Sequence, residues 1–149
     1  MAATLSLDRH LCFALYSASR AMTAAYRPIL SELNLTYPQY LVLLVLWQEG
    51  RISVGRLGDR LQLDSGTLSP LLKRLEANGF VCRERSNADE RSVDVTLTPA
   101  GVGLERRAQC IPERLLPSTG LTEQDAADLR DAVRRLTDAL TASLGKETA

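Results

Sequence analysis

An excess of charge of either sign is missing from this chain, whose 149 residues carry 18 Lys plus Arg and 18 Asp plus Glu. That balance excludes a sequence-blind binder that holds nucleic acid by counterion release alone, and it leaves room for a local basic face. Cysteine is scarce. The 3 thiols, Cys12, Cys82 and Cys110, are odd in number and form no Cys-x-x-Cys pair, which excludes a disulfide framework and a structural zinc site. Long apolar runs are absent too. The longest, Tyr40 to Trp47, is far shorter than the ~20 residues of a membrane helix, and the N-terminus has no basic region followed by an apolar stretch. The expected place is the cytoplasm, with no membrane partner. There is no glycine-rich phosphate loop. The one histidine, His10, stands two residues from Cys12 and so on another side of a helix, which gives no local support to a Cys-His nucleophile. Neither an enzyme, a cofactor nor a metal is expected. What is present is ordinary globular composition, 45% hydrophobic and 24% charged, without repeats or linkers. The expected organisation is a single domain over 1–149.

Apolar residues recur at helical spacing through Leu7, Leu11, Leu15, Ala18 and Met22, predicting a helix over about 7–33 that Pro28 should kink or split. Thr36 and Pro38 start a second helix, apolar nearly all round and therefore central, which ends near Gly50. A short third helix is predicted from Ile52 to Leu61, with Ser53 as its cap. Asp64 caps a fourth, in which Leu68, Leu71, Leu72 and Leu75 face inward and which Asn78-Gly79 closes. Its interior Pro70 lacks an amide proton and, on local grounds, moves the start to Ser69. From Phe80 the period becomes two, giving strands on either side of the polar turn Ser86 to Glu90, and the alternation puts Cys82 inward as core packing. Thr98-Pro99 opens a fifth helix to about Arg114, and Pro117 to Gly120 is a break. Behind a Thr122/Asp125 cap, a last helix repeats Leu129, Val133, Leu136 and Leu140 as an a/d seam.

Two short helices, the second amphipathic with a polar outer face, followed by a hairpin, is the order of a winged helix-turn-helix. The expected fold is mainly α with a small β-hairpin wing: a winged helix-turn-helix over about 37–98, with dimerisation helices over about 7–33 and 99–144. Those outer helices are too long and apolar for so small a core to cover, so they should pair with a second copy of themselves. A two-fold homodimer presents two recognition helices to two half-sites of double-stranded operator DNA. Hydroxyl and cationic donors suit base edges and phosphates: Ser65, Thr67, Ser69, Lys73 and Arg74 on the fourth helix, and Arg91, oriented by Asp89, at the wing. Residues 51–91 hold eight basic groups against six acidic ones, a modest excess. A helical interaction module that does not read DNA is the rival reading.

The segment Leu-Asp-Ser-Gly-Thr-Leu-Ser-Pro-Leu-Leu-Lys-Arg-Leu-Glu-Ala-Asn-Gly, Leu63 to Gly79, followed by Asp89-Glu90-Arg91 and Leu97-Thr98-Pro99-Ala100-Gly101, resembles the MarR family of winged-helix repressors. The match spans nearly the whole chain. Leu11-Cys12-Phe13-Ala14-Leu15-Tyr16 and Leu35-Thr36-Tyr37-Pro38-Gln39-Tyr40 are similar to the organic hydroperoxide resistance (OhrR) branch of that family. The resemblance implies that the fourth helix begins near Asp64 in spite of Pro70. It also implies a repressor that senses organic hydroperoxide through Cys12, with the hydroxyls of Tyr26 and Tyr37 against the sulfur. A helix start favours an anion, and phenolic donors stabilise a thiolate, so the residue chemistry agrees. Some family members resolve the oxidised sensor with a second cysteine from the partner subunit. Here Pro117 stands at that position and Cys110 comes about two turns earlier, so a disulfide to Cys110 needs movement and a mixed disulfide with a small cellular thiol competes. The alternative within the family is a repressor that responds to a non-covalent phenolic ligand at the dimer interface.

Overall fold

The computed structural model describes residues 5–147, which are mainly helical with a small antiparallel sheet. A 3-10 turn at Leu7–Arg9 precedes α1 (Leu11–Ser31), α2 (Tyr37–Glu49), β1 (Ile52–Ser53), α3 (Val54–Leu61) and α4 (Ser65–Ala77). Then come β2 (Val81–Arg85), β3 (Val93–Leu97), α5 (Pro99–Ala108), α6 (Ile111–Thr119) and α7 (Glu123–Glu147). They form two compact units, one running through Cys110 and the other from Ile111 onward. Among the described residues no helix is long and apolar enough to cross a membrane.

In the first unit α2 is central, touching α1, α3, α4, α5 and β3, and its Val42, Leu43 and Leu46 are buried. Its start is fixed by reciprocal bonds: the Gln39 amide donates to Thr36 Oγ1 while the Thr36 amide donates to Gln39 Oε1 at 3.0 Å. Leu57 of α3 and Leu68, Leu72 and Leu75 of α4 pack inward as their spacing predicts. The Asp64 carboxylate accepts the Thr67 amide at 2.7 Å, a bond to the charged form that holds its pKa below the usual carboxylate value. The cap sets the start of α4 at Ser65 rather than Ser69. Pro70 then falls inside the helix, where the carbonyl deprived of its amide partner is that of Gly66, an exposed position.

Several expectations are corrected. α1 is not split at Pro28, because the carbonyl freed by the proline belongs to Ala24, an exposed position, and the helix continues to Ser31. Ile52 and Ser53 leave the predicted third helix to form β1, whose buried Ile52 pairs with Val95, so the sheet has three strands in the order β1-β3-β2. Cys82 points outward and is exposed, whereas Val81, opposite Leu97, is buried. A phase slip of one residue exchanges the two faces of a strand, and the Arg83 neighbour that sets the phase is held inward by Glu76. The fifth helix stops at Ala108 because Pro112 has no amide to continue the ladder and opens α6 instead. Pro117 lies within α6, and the break comes at Gly120, with φ of 68°.

In the second unit α7 begins behind Thr122, whose hydroxyl accepts from the Asp125 amide at 3.1 Å and donates to Asp125 Oδ2 at 2.8 Å. The apolar stripe of α7 remains open in the single chain: Leu129 is 55% and Leu140 56% exposed, with Val133 and Leu136 half-buried.

Candidate functional site

The cations of residues 51–91 separate by what stands beside them. Arg51 bridges Asp94 at 2.8 Å and Glu84 at 3.7 Å. Arg56 and Arg60 both hold Glu49, at 3.3 and 2.6 Å. Arg83 holds Glu76 at 3.1 Å and donates its amide to the same carboxylate at 2.9 Å, bonds that keep Glu76 ionised below the usual carboxylate range. Lys73, Arg74, Arg85 and Arg91 are left exposed, with no carboxylate partner among the described residues. All four belong to α4 and the wing. The modest excess read from the sequence therefore sits on α4 and the wing.

Ser65 and Thr67 stand exposed on the first turn of α4. Ser69 is half-buried and, with Arg83, Arg91 and the first residues of α3, lines a cleft of about 440 Å³ between helix and wing. Ser69 and Arg91 are thus brought together. Asp89 accepts the backbone amide of Arg91 at 3.0 Å, and the Ser86 amide donates to the Ser92 carbonyl at 2.8 Å, so Asp89 shapes the turn that presents Arg91. Arg85 was not among the predicted contacts. Its signal was a cation ending a strand immediately before a polar turn.

Cys12 is exposed at the second position of α1. His10, the residue before the helix, has Nδ1 2.7 Å from the Ser6 carbonyl, to which it donates, and this bond ties down the 3-10 turn rather than engaging the thiol. Leu11 and Phe13 beside Cys12 are exposed, as is Tyr16 one turn on, whose ring has the Arg20 guanidinium over it at 5.4 Å. Tyr26 and Tyr37 meet with ring centroids 4.7 Å apart, and Tyr40, absent from the predicted set, joins them at 5.9 Å from Tyr26. The structure does not bring these rings to Cys12 of the same chain: Tyr26 is fourteen residues along α1, about 21 Å at 1.5 Å per residue.

Burial, with the neighbouring phenols, pushes the Tyr26 pKa up to about 12, and burial raises Tyr37 and Tyr40 as well. All three are therefore neutral O–H donors at ordinary pH, and none has a hydrogen-bond partner among the described residues. Cys110 is exposed beyond α5, its thiol 3.5 Å from the Arg107 carbonyl. No cluster of three metal-ligating side chains occurs among the described residues.

Residues 24–105 match the family model described as transcriptional regulator SarA/Rot. Over 140 residues the chain is 51% identical to the HTH-type transcriptional regulator TtmR of Methylorubrum extorquens, covering 94% of this chain and 72% of that protein. Over 126 residues it is 48% identical to the organic hydroperoxide resistance transcriptional regulator of Bacillus subtilis, covering 85% of this chain and 84% of the relative. Among solved structures, reduced AbfR bound to DNA superposes with a TM-score of 0.79 at 34% identity, over 93% of this chain and 94% of that one. AbfR is a protein of Staphylococcus epidermidis. The two named relatives are transcriptional regulators, not enzymes.

Proposed function

Because the chain belongs to the MarR family of winged-helix transcriptional regulators, in its organic hydroperoxide resistance branch, we propose that it is a homodimeric repressor that releases operator DNA when organic hydroperoxide oxidises Cys12. The observation that carries the reading is Cys12 itself, an exposed thiol in the first turn of α1 on a chain 48% identical to a regulator named for organic hydroperoxide resistance.

DNA is read by α4 in the major groove through Ser65, Thr67, Ser69, Lys73 and Arg74, while the turn shaped by Asp89 carries Arg91 to the minor groove and Arg85 meets phosphates. The open stripes of α1 and α7 supply the dimer contact. In such a dimer the phenols that face Cys12 come from Tyr26 and Tyr37 of a second copy, since those of its own chain lie too far along the helix.

The Cys12 thiolate attacks the terminal peroxide oxygen. An S–O bond forms, the O–O bond breaks, and the alkoxide takes a proton and leaves as an alcohol, so sulfur is oxidised to sulfenic acid as the peroxide is reduced. A second thiol, from Cys110 of a partner subunit or a small cellular thiol, then displaces water to give a disulfide. Loss of the sulfur's negative charge releases both phenolic donors, and the resulting shift changes the spacing of two recognition helices whose half-sites tolerate little change.

The test is titration of the reduced protein with palindromic promoter DNA, repeated with organic hydroperoxide, hydrogen peroxide and a reductant. Cys12→Ser is expected to bind operator and ignore peroxide. A Cys12→Ser protein still released by hydroperoxide overturns the reading, and one released by a phenolic ligand but not by peroxide points to the non-covalent alternative.

A further inference from the structure

The aromatic residues of the first unit form a continuous file that ends at the root of the DNA-reading elements. Tyr37, Tyr40 and Trp47 lie on one face of α2 at i, i+3 and i+10. Tyr26 of α1 lies against Tyr37 and Tyr40, and Tyr40 meets Trp47 edge-on with centroids 6.3 Å apart and planes at 63°. Each separation is one at which rings are in direct contact.

The far end is anchored by the Trp47 Nε1–H, which donates to the Gly101 carbonyl at 3.0 Å. Gly101 occupies a tight place, since a side chain there would collide with the Phe80 carbonyl and crowd Leu97. Beside it the Thr98 amide donates to the Phe80 carbonyl at 3.1 Å and the Thr98 hydroxyl to the Gly79 carbonyl at 2.5 Å. Gly79-Phe80 is the turn from α4 into β2, and Leu97-Thr98 the turn from β3 into α5. One bond from Trp47 therefore reaches the knot where α4, both long wing strands and α5 meet.

We propose that Trp47 is a positioning residue that couples the Tyr26–Tyr37 pair to α4 and the wing through its bond to Gly101. The inference rests on the redox reading above. Close-packed interiors do not absorb a displacement by compression, and Tyr40, in the middle of the file, is only 4% exposed. The pair bears on Tyr40 through Tyr26, so when it moves Tyr40 and then Trp47 follow. The indole then either drags the Gly101 carbonyl with it or leaves a part-buried N–H unpaired, which is unfavourable.

Trp47 is the only tryptophan, 1 in the chain, so its emission reports the far end of the file in the unaltered dimer. Treatment of the wild type with cumene hydroperoxide is expected to shift that emission, with no shift in Cys12→Ser. Trp47→Phe keeps a ring but removes the donor. The ratio of oxidised to reduced operator Kd is expected to fall about tenfold relative to wild type, a readout that a purely structural loss would not move because it weakens both states alike. An unchanged ratio in Trp47→Phe, or release of the wild type without any change in emission, overturns the coupling while the redox reading stands. Release of Cys12→Ser by hydroperoxide overturns the redox reading, and the coupling with it.

Discussion

Under the proposed reading, what separates a DNA-reading cation from a structural one is the carboxylate beside it. Arg56 spends its charge on Glu49, whereas Arg85 and Arg91 keep theirs. Arg91→Ala is expected to cost about 1–3 kcal/mol of operator affinity and to relax specificity. Arg85→Ala should instead weaken binding to all sequences and lower the salt slope by about one ion, while Arg56→Ala leaves both unchanged. Binding isotherms at several salt concentrations on operator and scrambled DNA decide this, and an Arg56→Ala that behaves like Arg91→Ala refutes the division. The phenols obey the same local logic. A folded-state pKa of about 12 for Tyr26, against an ordinary value near 10, means that its contribution to stability is complete below pH about 10 and is lost as pH climbs toward 12. Denaturation midpoints measured across that window should fall for the wild type and fall less steeply for Tyr26→Phe.

At the scale of elements, the parts legible in the sequence were those fixed by local chemistry. The Thr36, Ser53, Asp64 and Thr98 caps and the leucine spacing of α4 stand where the sequence predicts them, because a cap needs only its own next three residues. What could not be read depends on partners distant in the chain. β1 exists because Ile52 finds Val95, and the outward Cys82 follows from a pairing register that the alternation of two equally mixed faces does not encode. The candidate site divides the same way. The α4 donors are a local pattern and Cys12 is singled out by the family resemblance rather than by its own neighbours, whereas Arg85, Tyr40 and Trp47 gain their meaning only from who stands opposite. Gly101 belongs with them. Nothing in Thr-Pro-Ala-Gly announces that its α-hydrogen faces the Phe80 carbonyl. Gly101→Ala should push α5 off the wing root and cost about 1–3 kcal/mol, whereas Gly103→Ala, whose added methyl meets nothing, should be neutral or slightly stabilising, and thermal melts of the two compare them directly.

For the whole molecule, a length is decisive. The thiol sits at the head of α1 and its proposed donors at the tail, about 21 Å away at 1.5 Å per residue, and a helix does not fold back on itself. Under the proposed reading thiol and phenols meet across two α1 helices that run in opposite directions, an arrangement that a two-fold axis perpendicular to the helices supplies. The open stripe of α7 is a further surface for a second copy to cover, so Leu136→Glu should weaken self-association and operator binding together, as sedimentation and titration would show. A mixed dimer tests the geometry more sharply. One subunit carries Cys12→Ser with its tyrosines intact, and the other keeps Cys12 but carries Tyr26→Phe and Tyr37→Phe. If the site is built across the axis, the surviving thiol faces the intact phenols of its partner and is oxidised at the wild-type rate. If each site is built within one subunit, no complete site remains, and oxidation slows by about tenfold for a loss of charge-assisted bonds worth ~1.5 kcal/mol. The rate of sulfenic acid formation at Cys12 in the mixed dimer, compared with the dimer in which both subunits carry the two phenylalanines, is the measurement. A mixed dimer as slow as that control would overturn the site built across the axis.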